Sequence, residues 1–213
     1  MSFWTKIKRT VIKAYRLWDK SFKFNGKTYR YELGDYNASW ENERTVEIPI
    51  MKKYIKGDVL EVGNTLSHYT GLKAPTNHLI IDKYEKASGV INEDIEFFDT
   101  SQRFDTIILV STLEHIGNYQ GEPKVPEKLL RAIENMKRLL KPAGGKIIAS
   151  VPLGQNPVLD CLIDDGNFRI LGCMKKKICE LNTWKETYWH DAIKTKGCKH
   201  CLTHAITIIE IKN

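Results

Sequence analysis

Three short runs of apolar, largely β-branched residues constrain the fold of this 213-residue chain more than any other feature. The runs span residues 59–62, 79–81 and 106–110, and a small or acidic residue follows each of them. Such runs are typical of parallel strands that are buried on both faces. Because open α/β sheets bind ligands beyond the carboxyl ends of their strands, the sequence predicts a ligand site where the three runs end.

Strand and helix patterns alternate along the rest of the chain, which predicts one doubly wound α/β domain. Residues 126–140 have the apolar spacing of an amphipathic helix, and a strand at 146–151 follows them. The other predicted elements are a helix within 35–55, a crossover helix of roughly two turns within 83–99, a strand within 168–178, a helix over 183–193 and a strand over 205–211.

The first 44 residues are predicted to be an extension that precedes a domain spanning 45–213. Residues 2–20 place apolar side chains at helical spacing opposite lysines and arginines, which predicts a basic amphipathic helix. This helix either makes a peripheral contact with an anionic membrane surface or packs its aromatics on the domain. We favour packing, because no lipidation motif accompanies the helix. Asn25-Gly26, between alternating runs, predicts a β-hairpin.

The net charge of +7 is concentrated in this extension. Residues 1–30 contain nine basic residues and one acidic residue, a charge of +8, so the other 183 residues carry −1. A nucleic-acid partner is therefore not expected. No apolar run approaches the roughly 18 residues of a membrane-spanning helix, and no secretory signal is recognisable. We predict a cytoplasmic protein, with contact at the inner membrane surface left open.

Two groups of residues in the last third are candidates for a metal site. Cys198 and Cys201 resemble half of a zinc site, but the spacing of Cys173 and Cys179 is poor for the other half. Five cysteines, an odd number, favour free thiols, and no metal is predicted. A nearby acidic cluster is interpreted as a solvated loop rather than a metal or polyol site: Asp160, Asp164 and Asp165.

The turn after the first run has the features of a nucleoside site. Gly63 lets the backbone approach a ligand closely, and Asp82 follows Glu61 by 21 residues, about the spacing of a ribose-binding carboxylate. The three-glycine dinucleotide fingerprint is absent, because the next glycine is Gly71. A nicotinamide-dependent reductase or epimerase is therefore disfavoured, and the absence of a P-loop motif disfavours a nucleoside triphosphatase.

Taken in order, six motifs resemble those of class I S-adenosylmethionine-dependent methyltransferases, over about residues 45–155. They are VLEVG at 59–63, ID at 81–82, NEDI at 92–95, FDTI at 104–107, TLEHI at 112–116 and LLKPAGG at 139–145. The resemblance implies a seven-stranded, mostly parallel sheet with an antiparallel last strand. Residues 62–69 and 151–157 further resemble members found in surface-polysaccharide gene clusters.

The resemblance also implies roles for individual residues around the cofactor S-adenosyl-L-methionine. Glu61 and Gly63 would border its methionine moiety, Asp82 would hold its ribose, and Asp94 and Ile95 would face its adenine. The other implied cofactor-binding residues are Asn64, Thr65, Ser67, Lys83, Ser111, Thr112 and Leu113. This chain departs from the family at Thr65 and Ser67, which stand where a second and a third glycine are usual.

Methyl transfer to a hydroxyl is helped by a general base within hydrogen-bond reach. His115 is the candidate base, with Glu114 as its orienter or packing partner; a helix-capping role is the alternative. Lower-ranked candidates near the cofactor are His68, Tyr69, Trp40 and Arg44.

The predicted function is methyl transfer to a hydroxyl of a small or glycan-like acceptor. The alternative is a non-catalytic binding or scaffold module with the same fold, attached through its basic helix.

Overall fold

The three apolar runs form adjacent strands at the centre of a mostly parallel sheet. The computed structural model describes residues 17–69, 77–177, 182–195 and 203–212. Its strands are β1 Ser21–Phe24, β2 Lys27–Arg30, β3 Val59–Val62, β4 His78–Ile81, β5 Val90–Ile91, β6 Thr106–Val110, β7 Lys146–Pro152, β8 Arg169–Lys176, β9 Trp184–Thr187 and β10 Ala205–Lys212. Eight of these strands form one sheet in the order β5-β4-β3-β6-β7-β10-β8-β9.

The direction of the strands confirms the predicted fold class. β3 pairs in parallel with β4 and β6, so that Val59 lies opposite both His78 and Thr106. The last strand, β10, runs antiparallel to β7 and β8. Within the described residues the sheet has one strand more than the seven predicted. The carboxyl ends of β3, β4 and β6 meet at one edge, as the sequence predicted.

Helices cover both faces of the sheet. They are α1 Arg44–Met51, α2 Pro126–Leu139, α3 Pro157–Asp164 and α4 Trp189–Ile193, with 3₁₀ turns at Tyr36–Glu41, Lys52–Tyr54, Leu66–His68 and Leu113–His115. Side chains alternate between the faces along each strand. On β6, Ile107 packs in the cluster that contains α2 and α3, and Ile108 packs in the cluster that contains α1.

The hairpin of β1 and β2 forms as predicted, around Asn25 and Gly26, which both have positive φ. It packs on the face of the sheet that α1 covers. The Phe24 ring is buried against Gly172, where a Cβ would meet the ring at 2.6 Å. Asn25 Nδ2 donates to the Leu171 carbonyl at 2.8 Å. The predicted basic helix at 2–20 lies almost wholly outside the described residues.

Two predicted helices are wrong. Within 83–99 the chain forms turns and β5, because Asp82 Oδ1 binds the amides of Tyr84 and Glu85 and Gly89 adopts a φ of +79°. The range 183–193 divides into β9 and the short α4. Trp184 of β9 is buried, and Lys185 and Glu186 are exposed at the edge of the sheet.

The described residues contain no group of three or more His, Cys, Asp or Glu side chains placed to hold a metal ion. Cys161 and Cys173 are free thiols, and Cys179, Cys198 and Cys201 lie outside the described residues. Over the same ranges, the structure contains no helix with both the length and the hydrophobicity to cross a bilayer.

Candidate functional site

A cavity of about 460 Å³ opens at the carboxyl ends of β3, β4 and β6. Most of the residues that the sequence predicted for the cofactor and for catalysis line this cavity. Those that line it are Gly63, Asn64, Thr65, Asp82, Lys83, Asp94, Ile95, Ser111, Thr112 and His115. Four predicted residues lie outside its lining, namely Glu61, Ser67, Leu113 and Glu114.

Both the backbone conformation and the neighbouring side chains require a glycine at position 63. Its φ is +87°, a conformation that L-residues rarely adopt. A Cβ at this position would overlap Oγ1 and Cγ2 of Thr112. Its amide donates to the Ile81 carbonyl at 2.8 Å, which ties the turn to β4. The turn therefore brings the backbone of β3 directly against the cavity.

Glu61 organises this turn from beneath. Its side chain is fully buried, and Oε1 accepts hydrogen bonds from the amides of Thr65 at 2.8 Å and Leu66 at 2.7 Å. His78 Nε2 lies 3.0 Å from Oε2, an ion-pair distance without the alignment of a hydrogen bond. Glu61 thus positions the loop, whereas the sequence placed it on the wall of the site.

Asp82 joins the two loops that flank the cavity. Oδ2 accepts from the amide of Asn64 at 3.0 Å, and Oδ1 accepts from the amides of Tyr84 at 2.8 Å and Glu85 at 2.7 Å. A carboxylate has about four lone-pair directions, so these three bonds leave it able to accept from a ligand.

Asp94 lies at the same cavity, on the loop after β5. Lys128 of α2 donates to its Oδ2 at 2.5 Å, and Lys83 Nζ lies 3.6 Å from the same oxygen. Burial would raise the pKa of Asp94, but these lysines hold it below its usual value. Asp94 is therefore ionised, and Ile95 beside it supplies a buried apolar wall.

Beneath the opposite end of the cavity, Glu47 is fully buried on α1. Ser111 Oγ donates to Glu47 Oε1 at 2.6 Å, and Arg44 Nη1 lies 3.1 Å from Oε2. Burial raises the pKa of Glu47 to about 7, although Arg44 opposes the shift. Burial would lower the pKa of Arg44, but the surrounding carboxylates keep it above its usual value.

His115 lines the cavity with its side chain 45% exposed. Burial, and then the charge of Arg44, lower the pKa of the imidazole. The predicted orienting hydrogen bond from Glu114 is not formed, because His115 Nε2 lies 3.6 Å from Glu114 Oε1. Glu114 is itself buried without a hydrogen-bond partner for either oxygen among the described residues. Burial holds its pKa well above the usual value.

Sequence reasoning missed several aromatic and charged residues of the cavity. Tyr84 and Tyr119 stack with ring centroids 4.3 Å apart, and Tyr84 Oη donates to Glu122 at 2.7 Å. Tyr36 stacks on His68 at 3.7 Å. These residues come from loops without a period or motif, so nothing in the sequence marked them. Lys128 is different, because it lies on the polar side of the helix that the sequence predicted at residues 126–140.

Known proteins resemble this chain in structure. No protein-family model and no curated protein matches the sequence. The N-methyltransferase NodS from Bradyrhizobium japonicum WM9, solved with S-adenosyl-L-homocysteine, has a TM-score of 0.50 and 16% identity, over 96% of this chain and 98% of its own. The glycopeptide N-methyltransferase MtfA, solved with S-adenosyl-L-methionine, has a TM-score of 0.43 and 10% identity, over 78% of this chain and 94% of its own. The match to NodS over nearly the full length shows that this chain has the fold of the S-adenosylmethionine-dependent methyltransferases.

Proposed function

We propose that this protein transfers a methyl group from S-adenosyl-L-methionine to an acceptor. The observation that carries the proposal is the meeting of Gly63, Asp82 and Asp94 at one cavity of about 460 Å³. This volume falls within the roughly 300–1,000 Å³ of small-molecule sites. The S-adenosyl-L-homocysteine named with NodS, which has the same fold, supports the same cofactor here.

The residues of the cavity fit the chemical groups of this donor. Asp82 has acceptor capacity for ribose hydroxyls, and Ile95 offers an apolar surface to an adenine ring. Arg44 uses Nη1 for Glu47 and for the Val110 carbonyl, which leaves its other N–H groups to pair with a carboxylate. When bound, the donor supplies a methyl group activated by a sulfonium, and the main task of the protein is to align donor and acceptor.

For the acceptor, we propose a hydroxyl of a small or glycan-like molecule. His115 supports this choice, because its lowered pKa keeps the imidazole neutral at pH 7 and able to accept the hydroxyl proton. Glu114 contributes as a packing partner rather than a hydrogen-bonded orienter. NodS is named as an N-methyltransferase, so an amine acceptor is the competing outcome of the acceptor assay.

A non-catalytic binding or scaffold role is the second candidate. It is favoured by the occupation of both Asp82 oxygens by main-chain amides and by the pairing of Asp94 with Lys128. If these internal contacts exclude a ligand, the cavity is a structural feature only. Attachment through residues 2–20 and a cytoplasmic location remain predictions.

Calorimetric titration with S-adenosyl-L-methionine and S-adenosyl-L-homocysteine separates the two candidates. The enzyme hypothesis expects both ligands to bind. It further expects Asp82→Asn to abolish binding, whereas the control Asp99→Asn, at an exposed residue paired with Arg138, retains it. Thermal unfolding of each variant verifies that it is folded. Absence of binding to the wild-type protein would leave the scaffold role.

Isotope-labelled methyl transfer onto fractionated cell extract then identifies the acceptor. Label in a base-stable ether of the glycan fraction supports the proposal, and label on an amine refutes the hydroxyl acceptor. With that acceptor, we expect His115→Ala to slow turnover and leave donor affinity nearly unchanged. Loss of both would assign His115 a structural role.

A further inference from the structure

A buried group of charges lies beneath the Arg44 end of the cavity, and the proposed function leaves it unexplained. Glu47 is at its centre and is fully buried. It contacts Ser111 at 2.6 Å and Arg44 at 3.1 Å, and both of these residues line the cavity. Glu47 is therefore separated from a ligand in this half of the cavity by a single layer of side chains.

The groups that act on Glu47 come from several of the elements packed around it. Glu43 precedes α1, Ser150 lies on β7, and Glu114 follows β6; the charges of Glu43 and Arg44 and hydrogen bonds from Ser111 and Ser150 all act on its carboxyl. Tyr69 is neutral, because burial raises its pKa to about 12. Three carboxyl groups thus face the one positive charge of Arg44 within this group.

Burial raises the pKa of both buried carboxyl groups, Glu47 and Glu114. The pKa of Glu47 is about 7, so a modest change in its surroundings shifts its charge. A cation bound near Ser111 and Arg44 would favour the ionised form of Glu47.

We propose that Glu47 makes the cavity discriminate between the cationic sulfonium donor and its neutral thioether product. The inference rests on the proposed function, because it takes S-adenosyl-L-methionine as the donor. Donor and product share the adenosine and amino-acid groups and differ by one methyl group and one positive charge. Glu47 is a positioning residue here, since it acts through Ser111 and Arg44 and through its field.

The sign of the effect follows from linkage. If the donor favours loss of the Glu47 proton, loss of that proton favours the donor to the same extent. Donor preference is therefore weakest when Glu47 is protonated and strongest above pH 7. If the sulfonium lowers the pKa of Glu47 by one unit, the ratio of product to donor dissociation constants rises by up to about tenfold from the acidic to the alkaline limit.

The test is calorimetry of the full-length protein with S-adenosyl-L-methionine and S-adenosyl-L-homocysteine from pH 5.5 to pH 8.5 (about three units, enough to span the titration of Glu47). We expect the ratio of dissociation constants to rise with pH in the wild type and to flatten in Glu47→Gln, which keeps an acceptor for Ser111. Protonation of His115 also disfavours a bound cation. This contribution is present in Glu47→Gln as well, so the difference between the pH profiles of the two proteins is due to Glu47.

Two further variants keep the inference falsifiable. Glu93→Gln removes a carboxylate that lines the same cavity from the loop after β5, and this variant is expected to retain the wild-type profile. Ser111→Ala removes a hydrogen bond that lowers the pKa of Glu47, so the midpoint of the profile should move to higher pH.

A ratio that does not vary with pH, or flattening in Glu114→Gln instead of Glu47→Gln, would overturn the inference while leaving the proposed function intact. Failure of both ligands to bind the wild type would instead reject the proposed function, and this inference with it.

Discussion

Replacing Gly63 by alanine tests the central turn of the site most directly. The φ of +87° costs an alanine about 1–2 kcal/mol, partly offset by about 0.4–1 kcal/mol from the stiffer unfolded chain. The new methyl group also overlaps Thr112, and overpacking of this kind costs about 1–3 kcal/mol more. We therefore expect Gly63→Ala to lower the free energy of unfolding by about 2–4 kcal/mol.

Gly89 provides a matched control for the backbone contribution. Its φ is +79°, and no atom lies within 4 Å of the position that a Cβ would take. Gly89→Ala should therefore lose only the conformational part, about 1.5 kcal/mol or less. The difference between the two variants measures the overlap with Thr112.

A double-mutant cycle with Thr112→Ala attributes that difference to the contact. Removing Oγ1 and Cγ2 leaves only the Thr112 Cβ, at 3.1 Å, near the new methyl group. Urea unfolding of the four proteins should show that Gly63→Ala costs about 1–3 kcal/mol less in the Thr112→Ala background. Equal costs of Gly63→Ala and Gly89→Ala, or a cycle without coupling, would refute the steric reasoning.

Three other predictions concern the contacts around the site. Glu61→Ala removes the acceptor of two backbone amides, and each such hydrogen bond is worth about 1.5–3 kcal/mol with a charged partner. Urea unfolding should therefore show that the free energy of unfolding falls by about 3 kcal/mol or more. The loss should be smaller in Glu61→Gln, which keeps one acceptor oxygen. Phe24→Ala should cost about 3–5 kcal/mol, whereas the exposed neighbour Lys23→Ala should change stability by about 0.5 kcal/mol or less; equal effects would mean that the hairpin is not part of the core. Lys128→Met should raise the pKa of Asp94 in a carbon-detected NMR titration. Because a depressed carboxyl pKa gives stability that is lost as the pH falls through the folded-state value, the wild type should keep this contribution to a lower pH than the variant; an unchanged pKa would show that Lys128 does not control Asp94.

The strands at the site were predictable because their sequences carry a single physical signal. Residues 59–62 and 106–110 are buried on both faces, and short runs rich in apolar residues are typical of parallel central strands. β9 was not predicted, because its sequence lacks such a signal. It is an edge strand with one buried tryptophan, and its charged residues suit an exposed helix as well as an exposed edge. The predicted crossover helix failed because the Asp82 side chain binds the backbone that a helix would have used.

The candidate site was predictable where a residue follows directly from a strand end. Gly63, Asp82 and Ser111 come immediately after β3, β4 and β6, so strand prediction alone brings them to one edge. Lys128 could not be linked to Asp94 in this way, since the contact joins residues 34 positions apart through the packing of α2. The buried state of Glu47 was equally hidden, because its sequence context resembles that of any glutamate in the first turn of a helix.

The altered glycine loop is where the structure adds most to the sequence. Thr65 and Ser67 stand where the methyltransferases that the sequence resembles usually have a second and a third glycine, residues that adopt positive φ readily. Thr65 instead has a φ of −105°, and among residues 63–69 only Gly63 has positive φ. Glu61 stabilises this path by accepting the Thr65 and Leu66 amides, so the turn needs one glycine.

The strained non-glycine residue at the cavity is Ser111, with a φ of +44°. Its amide donates to the Ser150 carbonyl at 3.1 Å and its hydroxyl to Glu47 at 2.6 Å, and these bonds hold it in place. Backbone strain persists only where the surroundings enforce it, and it concentrates at functional sites. This strained residue of the cavity therefore lies next to Glu47 and Arg44, at the end of the cavity where we propose that the charge of the donor is sensed.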